Sequence, residues 1–308
     1  MTASSSSGVR RVRAGVNAIT AALVVGVVVG LALTPDGRDW LRRPTLIPGS
    51  LANASAGPPP TAAPILAPAV VAPVVPAANP LRDKAAQGRL RIGVFGDSMA
   101  DGVWTALYRE MRPYSAVTVT KFSEVSTGLS RYDYVDIQSK TARQIAEQPI
   151  DAAVVLFGTN DAQGISLDGV VHDFGTDGWK AAYARRVDDL VAMLRGQGIA
   201  VYWIGLPEMK RAGFDGRMDL INEVVSARMA ALGVPFLETE TVTRDAAGEY
   251  DAYLPETGTG RRRLMRASDG IHMTMAGYIR ITEPVAERIK RDAGLEATSD
   301  AAASPAGT

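Results

Sequence analysis

Four short blocks carry the side chains that could do chemistry. The first is Gly96-Asp97-Ser98-Met99-Ala100-Asp101-Gly102, a tight glycine-bounded turn between an apolar run and a helical one, which puts Ser98 at a helix N-terminus. Unpaired backbone N–H groups and the positive end of the helix dipole favour negative charge beside its hydroxyl. A serine in that place also caps helices, which is its commoner duty. In the second block, Ser126-Thr127-Gly128-Leu129-Ser130, Gly128 can offer a backbone N–H, although turn glycines are ordinary. The third, Phe157-Gly158-Thr159-Asn160-Asp161, ends a strand-like run with the Asn160 amide, a donor suited to an oxyanion hole or to an Asx turn. The fourth, Asp269-Gly270-Ile271-His272, spaces a carboxylate three residues before an imidazole. Asp269 can then reach Nδ1 across a turn and leave Nε2 facing a serine. The other histidine, His172, lies in a Gly- and Asp-rich loop with no comparable partner.

Composition excludes several other chemistries. The 308 residues contain no cysteine, so thiolate catalysis, disulfides, zinc-thiolate sites and a lipidated cysteine are all ruled out. Two histidines cannot assemble an imidazole metal cluster, and nothing in the blocks calls for a metal or a cofactor. Lys plus Arg and Asp plus Glu are each 33, which gives no general attraction to nucleic acid.

These blocks need elements to position them. Apolar β-rich runs at 90–95, 116–120, 152–157, 200–205 and 234–237 alternate with helical segments near 102–111, 139–148, 177–195, 219–232 and 275–291. That alternation predicts a three-layer α/β/α, flavodoxin-like domain with about five parallel strands. At 177–195, Ala181, Ala184, Val187, Leu190, Val191 and Leu194 recur at three- and four-residue steps, and Gly196 and Gly198 supply a stop. Ligands in such sheets bind beyond the carboxyl ends of the strands, which is where the Ser98 and Asn160 blocks fall.

The order of the blocks resembles that of the SGNH (GDSL) hydrolases, over the whole of residues 90–280. The resemblance implies Ser98 as nucleophile, with the Ser98 N–H, the Gly128 N–H and the Asn160 side chain as oxyanion donors, and His272 as base oriented by Asp269. One departure is Met99, where many relatives carry leucine, a change that leaves the chemistry untouched. Trp203-Ile204-Gly205-Leu206-Pro207 and the Asp-Gly-rich segment 245–260 also resemble a membrane-anchored bacterial branch of that family. An enzyme of this type is expected to act on acylated glycans, O-acetyl groups above all, or on other small esters. Hydrolysis and acyl transfer both fit. A lipase or thioesterase on lipid acyl chains, and a non-catalytic glycan-binding module, are the competing readings.

The N-terminal part sets the expected location. Residues 1–13 are Ser-rich and then basic, and residues 14–34 carry no charge over a length that can cross a bilayer. The positive-inside rule puts the N-terminus in the cytoplasm of a bacterium and the rest outside the inner membrane, in the periplasm. The best small-residue site near the end of the run, Gly30-Leu31-Ala32, lies inside it, which favours a single-pass anchor over a cleaved secretory signal. Residues 35–85, rich in Pro, Ala and Val, read as a linker, 86–293 as the folded domain and 294–308 as a small, polar tail expected to be disordered. The full-length protein should therefore fractionate with membranes, its domain accessible to protease only from the periplasmic side. A soluble periplasmic protein starting near Thr34 would show instead that the segment is cleaved.

Overall fold

The computed structural model describes residues 80–295. The readings of 1–13, of the apolar run 14–34, of linker residues 35–79 and of the tail beyond 295 lie outside the described residues. Among the described residues no helix is long and apolar enough to cross a membrane.

The chain enters through helix α1 (Pro80–Ala86), then strand β1 (Leu90–Gly96) and helix α2 (Ser98–Met111). Strand β2 (Val117–Lys121), helix α3 (Ile137–Glu147) and strand β3 (Ala152–Leu156) follow. After a small hairpin of β4 (Ile165–Leu167) and β5 (Val170–His172) come helix α4 (Asp177–Gly196), strand β6 (Ala200–Ile204) and helix α5 (Ala212–Leu232). Strand β7 (Phe236–Leu237), the short helix α6 (Glu240–Thr243), a second hairpin of β8 (Tyr253–Pro255) and β9 (Arg262–Leu264), and helix α7 (Met275–Ala293) complete it.

Five strands form one sheet in the order β2-β1-β3-β6-β7, and every pairing in it is parallel. All residues of β3 and nearly all of β1 are buried, as a parallel sheet covered on both faces requires. The helices flank the sheet in two groups, α1 and α2 packing on α7, and α3 and α5 packing on α4. This is the α/β/α layering expected from the alternating pattern. Of the sheet, the pair β1–β3 matters most to the site: Gly96 stands opposite Leu156, so the turns after the two strands leave the same edge at the same height.

Several boundaries differ from the sequence reading, each for a tertiary reason. Helix α2 runs from Ser98 through Gly102, so this glycine lies inside the helix and not at its start; α7 packs so closely there that a Cβ would stand 2.2 Å from the Tyr278 ring. Helix α5 begins at Ala212, well before Asp219. Its early glycines, Gly213 and Gly216, lower the intrinsic propensity, while the Asp215 carboxylate fastens this turn by accepting the Met209 N–H at 2.6 Å. The two hairpins lie in stretches too short and too rich in glycine to show strand periodicity.

The domain also starts earlier than residue 86. Pro80–Ala86 is helical, and Leu81 is buried in the main core, so the end of the expected linker belongs to the fold. At the other end Gly294 closes α7 in the left-handed conformation and Leu295 packs on the core. Leu81→Ala should lower unfolding free energy by about 2–4 kcal/mol, the usual cost of truncating a buried leucine. Urea denaturation checks this, and a loss below about 0.5 kcal/mol would put the boundary back at residue 86.

Candidate active site

The turn after β1 is shaped by Gly96, whose φ of 147° no ordinary residue adopts easily, and a Cβ there would lie 2.0 Å from the Leu156 carbonyl oxygen. Asp97 follows as the N-cap of α2, its Oδ1 accepting the Met99 N–H at 2.9 Å. Ser98 is therefore the first helical residue, with its hydroxyl beside the N-terminal N–H groups.

The His272 Nε2 lies 2.8 Å from Ser98 Oγ, and His272 Nδ1 lies 2.7 Å from Asp269 Oδ2. A carboxylate only accepts, so Nδ1 carries the proton and Nε2 is left to accept the serine hydroxyl. Asp269 is itself fixed by its own turn, Oδ1 accepting the N–H groups of Ile271 (2.9 Å) and His272 (3.0 Å). Partial burial alone would raise its carboxyl, but the His272 ring and these two N–H groups outweigh it and hold the group below its ordinary value. Asp269 thus stays ionised beside the imidazole. Both side chains reach solvent, at 37% exposure for His272 and 46% for Asp269.

The turn is braced from inside the protein. Arg266, three residues before Asp269, is only 1% exposed, and its Nη2 donates to the carbonyls of Gly270 (3.2 Å) and Ile271 (2.9 Å). Lys210 adds its backbone N–H to the Gly270 carbonyl at 3.1 Å. Nothing in the local sequence marks Arg266 for this place.

The Asn160 and Gly128 blocks are laced to the serine turn by hydrogen bonds. Asp97 Oδ2 accepts from Thr159 twice, from Oγ1 at 2.6 Å and from the backbone N–H at 3.2 Å. Asn160 Nδ2 donates to the Thr127 carbonyl at 2.9 Å, which uses one amide hydrogen and leaves the second. Thr127 Oγ1 stands 3.4 Å from the Gly96 carbonyl oxygen, and Glu124 donates its N–H to that same oxygen at 2.9 Å. Gly128 must lack a side chain, since a Cβ would meet Asp161 Oδ1 at 2.2 Å. Ser98, Gly128, Asn160, Asp269 and His272 thus all fall at the carboxyl edge of the sheet.

His172 is not among them. It pairs with Ile165 in the β4–β5 hairpin and lies against Gly178 of α4. The residues that sequence reasoning left without a part are Asp97, Asp161 and Thr159, which stand inside the motifs and hold them to one another. Burial away from water distinguishes Asp97 and Asp161, and Thr159 is marked by its two hydrogen bonds to Asp97; neither property has a local signature.

The sheet order, the serine turn and the carboxylate–imidazole–hydroxyl chain have the arrangement that the resemblance to the SGNH hydrolases implies. The chain belongs to the family described as "Protein of unknown function (DUF459)", whose model matches residues 91–288. No curated protein matches it. Similar solved structures include an acetyl xylan esterase, at 13% identity and TM-score 0.47 over 65% of this chain and 99% of that one. A GDSL-like lipase from Bacteroides thetaiotaomicron has 12% identity and TM-score 0.47 over 70% of this chain and 99% of that one. An α/β hydrolase enzyme from the metagenome of Lake Arreo has 14% identity and TM-score 0.46 over 67% and 95%.

The fully buried Asp97 gives a pH signature. Desolvation pushes its carboxyl up from 3.8 to about 6, against the lowering effect of the Thr159 and Met99 donors. Between those values the folded chain keeps a proton that the unfolded chain has lost, so this group's contribution to stability falls as pH rises through the window. The stability of the wild type relative to Asp97→Asn should therefore drop between pH ~4 and ~6, by at most about 3 kcal/mol. Unfolding free energies measured across that range check it; a flat or rising difference would contradict it.

Proposed function

We propose that this protein is a serine esterase that hydrolyses, or transfers, O-acyl groups, and that its substrates are O-acetyl groups on periplasmic or cell-surface glycans. The observation that carries the reading is the unbroken chain from Ser98 Oγ to His272 Nε2 at 2.8 Å and from His272 Nδ1 to Asp269 Oδ2 at 2.7 Å. Donor–acceptor distances of this kind suit a nucleophile paired with its base and that base's orienting group.

In the proposed mechanism the Ser98 oxygen bonds to the ester carbonyl carbon while its proton passes to His272 Nε2. The carbonyl electrons collect on oxygen, where the Ser98 N–H, the Gly128 N–H and the free hydrogen of the Asn160 amide stabilise them. Breaking the bond to the leaving alcohol restores the carbonyl, and His272 gives its proton to that alcohol. The acyl group now rides on Ser98. Water, or a second hydroxyl, repeats the sequence in reverse, with His272 taking the incoming proton and returning it to Ser98. Asp269 keeps its charge throughout and steadies the imidazolium.

A glycan substrate is supported by the exposure of His272 and Asp269, which leaves the reacting edge open to a group carried on a polymer. It is supported also by the charge pattern of residues 1–34, which suits a single-pass anchor holding the domain outside the inner membrane.

A fluorophosphonate should label Ser98 covalently in the full-length protein, and His272→Ala should suppress that labelling while His172→Ala leaves it nearly intact. Asn160→Ala should lower kcat on p-nitrophenyl acetate by about 100- to 1,000-fold with little change in KM. In cells, Ser98→Ala should change the O-acetyl content of one extracytoplasmic glycan. Labelling of another serine sinks the catalytic assignment. An unchanged acetylation profile together with altered lipid acyl chains replaces the glycan by a lipid substrate.

A further inference from the structure

We infer that Tyr183 is a positioning residue for the oxyanion site: its hydroxyl, acting through Asp161, holds the Gly128 block against the Asn160 turn. The inference rests on the esterase reading above and assigns a part to helix α4, which contributes no group to the reacting atoms.

Trp179, Tyr183 and Arg186 follow one another at steps of four and three residues, so they share one face of α4. All three are buried, and each reaches a loop of the candidate site. The Trp179 indole Nε1 donates to the Gln163 carbonyl at 2.7 Å, just past the Asn160 turn. Tyr183 OH donates to Asp161 Oδ2 at 2.8 Å. Arg186 Nη1 donates to the Leu129 carbonyl at 2.7 Å, next to Gly128, and its Nη2 to the Ser166 carbonyl at 2.5 Å. The tyrosine ring stacks on Trp179 with centroids 4.7 Å apart, and the guanidinium lies 3.5 Å from the centre of the Tyr132 ring. Three donors on one helix face therefore rack the two loops that carry Gly128 and Asn160.

Asp161 is the joint between them. Its Oδ1 accepts from the Ser130 N–H and the Ser130 hydroxyl, both at 2.8 Å, while Oδ2 takes Tyr183. One carboxylate thus spans the Asn160 turn, where it sits, the glycine block and α4. It is wholly buried, and desolvation raises its carboxyl above the ordinary value even with these donors in place. A dry carboxylate that loses one of few donors weakens or rearranges its remaining bonds. The remaining bonds here are those that hold Ser130, two residues from Gly128, and Gly128 itself packs directly on Asp161 Oδ1. An oxyanion donor works only when its N–H lies within a few tenths of an ångström of its place. Tyr183 is also a dependable donor, because burial and the adjacent Asp161 charge push its phenol well above its ordinary value and keep it protonated.

The test is Tyr183→Phe, which removes only the hydroxyl and leaves the ring on Trp179. Turnover of p-nitrophenyl acetate by the full-length protein is divided by the number of sites titrated with a fluorophosphonate, so that misfolded molecules do not count. The expected result is a kcat per titrated site lower by about tenfold, with KM within about twofold of wild type. An unchanged kcat per titrated site, whatever the melting temperature, overturns the inference and leaves Tyr183 with a structural part only. A loss carried by KM overturns it too. Should Tyr183→Phe fail to fold, Ser130→Ala removes a donor to the same carboxylate from the other side and carries the same two criteria. Failure of the esterase reading looks different: Ser98→Ala would then keep full hydrolysis, or the probe would attach elsewhere.

Discussion

At the carboxyl edge of the sheet the Asp97 carboxylate has no water to face, and its partners must come from the protein. It finds one in the helix that Ser98 begins, through the Met99 N–H, and two in Thr159, at the exit of the neighbouring strand. The requirement ties the serine turn to the Asn160 turn at a set separation. Much of the local sequence is subordinate to it. Gly96 has to be glycine for the chain to bend beside Leu156, and the parallel register of β1 and β3 has to put Gly96 and Leu156 side by side. Once those conditions hold, the serine hydroxyl and the Asn160 amide share an edge without further adjustment.

Three aspartates near the site show how environment divides one chemical group among different parts. Asp97 and Asp161 are fully buried, and desolvation raises both carboxyls above their ordinary values. They serve as joints between loops. Asp269 sits near solvent, where donors from its own turn and from the imidazole more than offset partial burial and keep it ionised. Only an ionised carboxylate can steady a protonated imidazole. Exchanging these surroundings would spoil both tasks: a dry partner for His272 would tend to be neutral, and a wet joint would trade its loop contacts for water.

The support beneath the site is built from groups that no catalytic motif includes. Arg266 is a long cationic side chain taken almost wholly out of water, yet it sends its terminal nitrogen to two carbonyls of the turn that bears His272. Lys210 adds its main-chain N–H from the loop after β6. On the other side α4 braces the Asn160 and Gly128 loops with an indole, a phenol and a guanidinium. Side chains of this size locked by packing lose little further freedom when the site is used, which is what preorganisation demands.

What the sequence determined by itself is whatever depends on neighbours within a turn or two of chain. The alternation of apolar runs and helical periods yields the α/β/α layering, and the Asp269-x-x-His272 spacing sets up its hydrogen bond, because four residues suffice to close that contact. The Ser98 turn is legible for the same reason. Tertiary structure alone decided the rest: that α1 belongs to the domain, that α2 runs through Gly102, and that Asp97, Asp161, Arg266 and Tyr183 lose their water. Thr159 lies 62 residues from Asp97, Ser130 lies 31 from Asp161 and His272 lies 174 from Ser98. Contacts over such spans exist only after the parallel sheet has stacked its strands, and burial, the property that turns an ordinary aspartate or arginine into a joint, is a sum over neighbours that no local window contains.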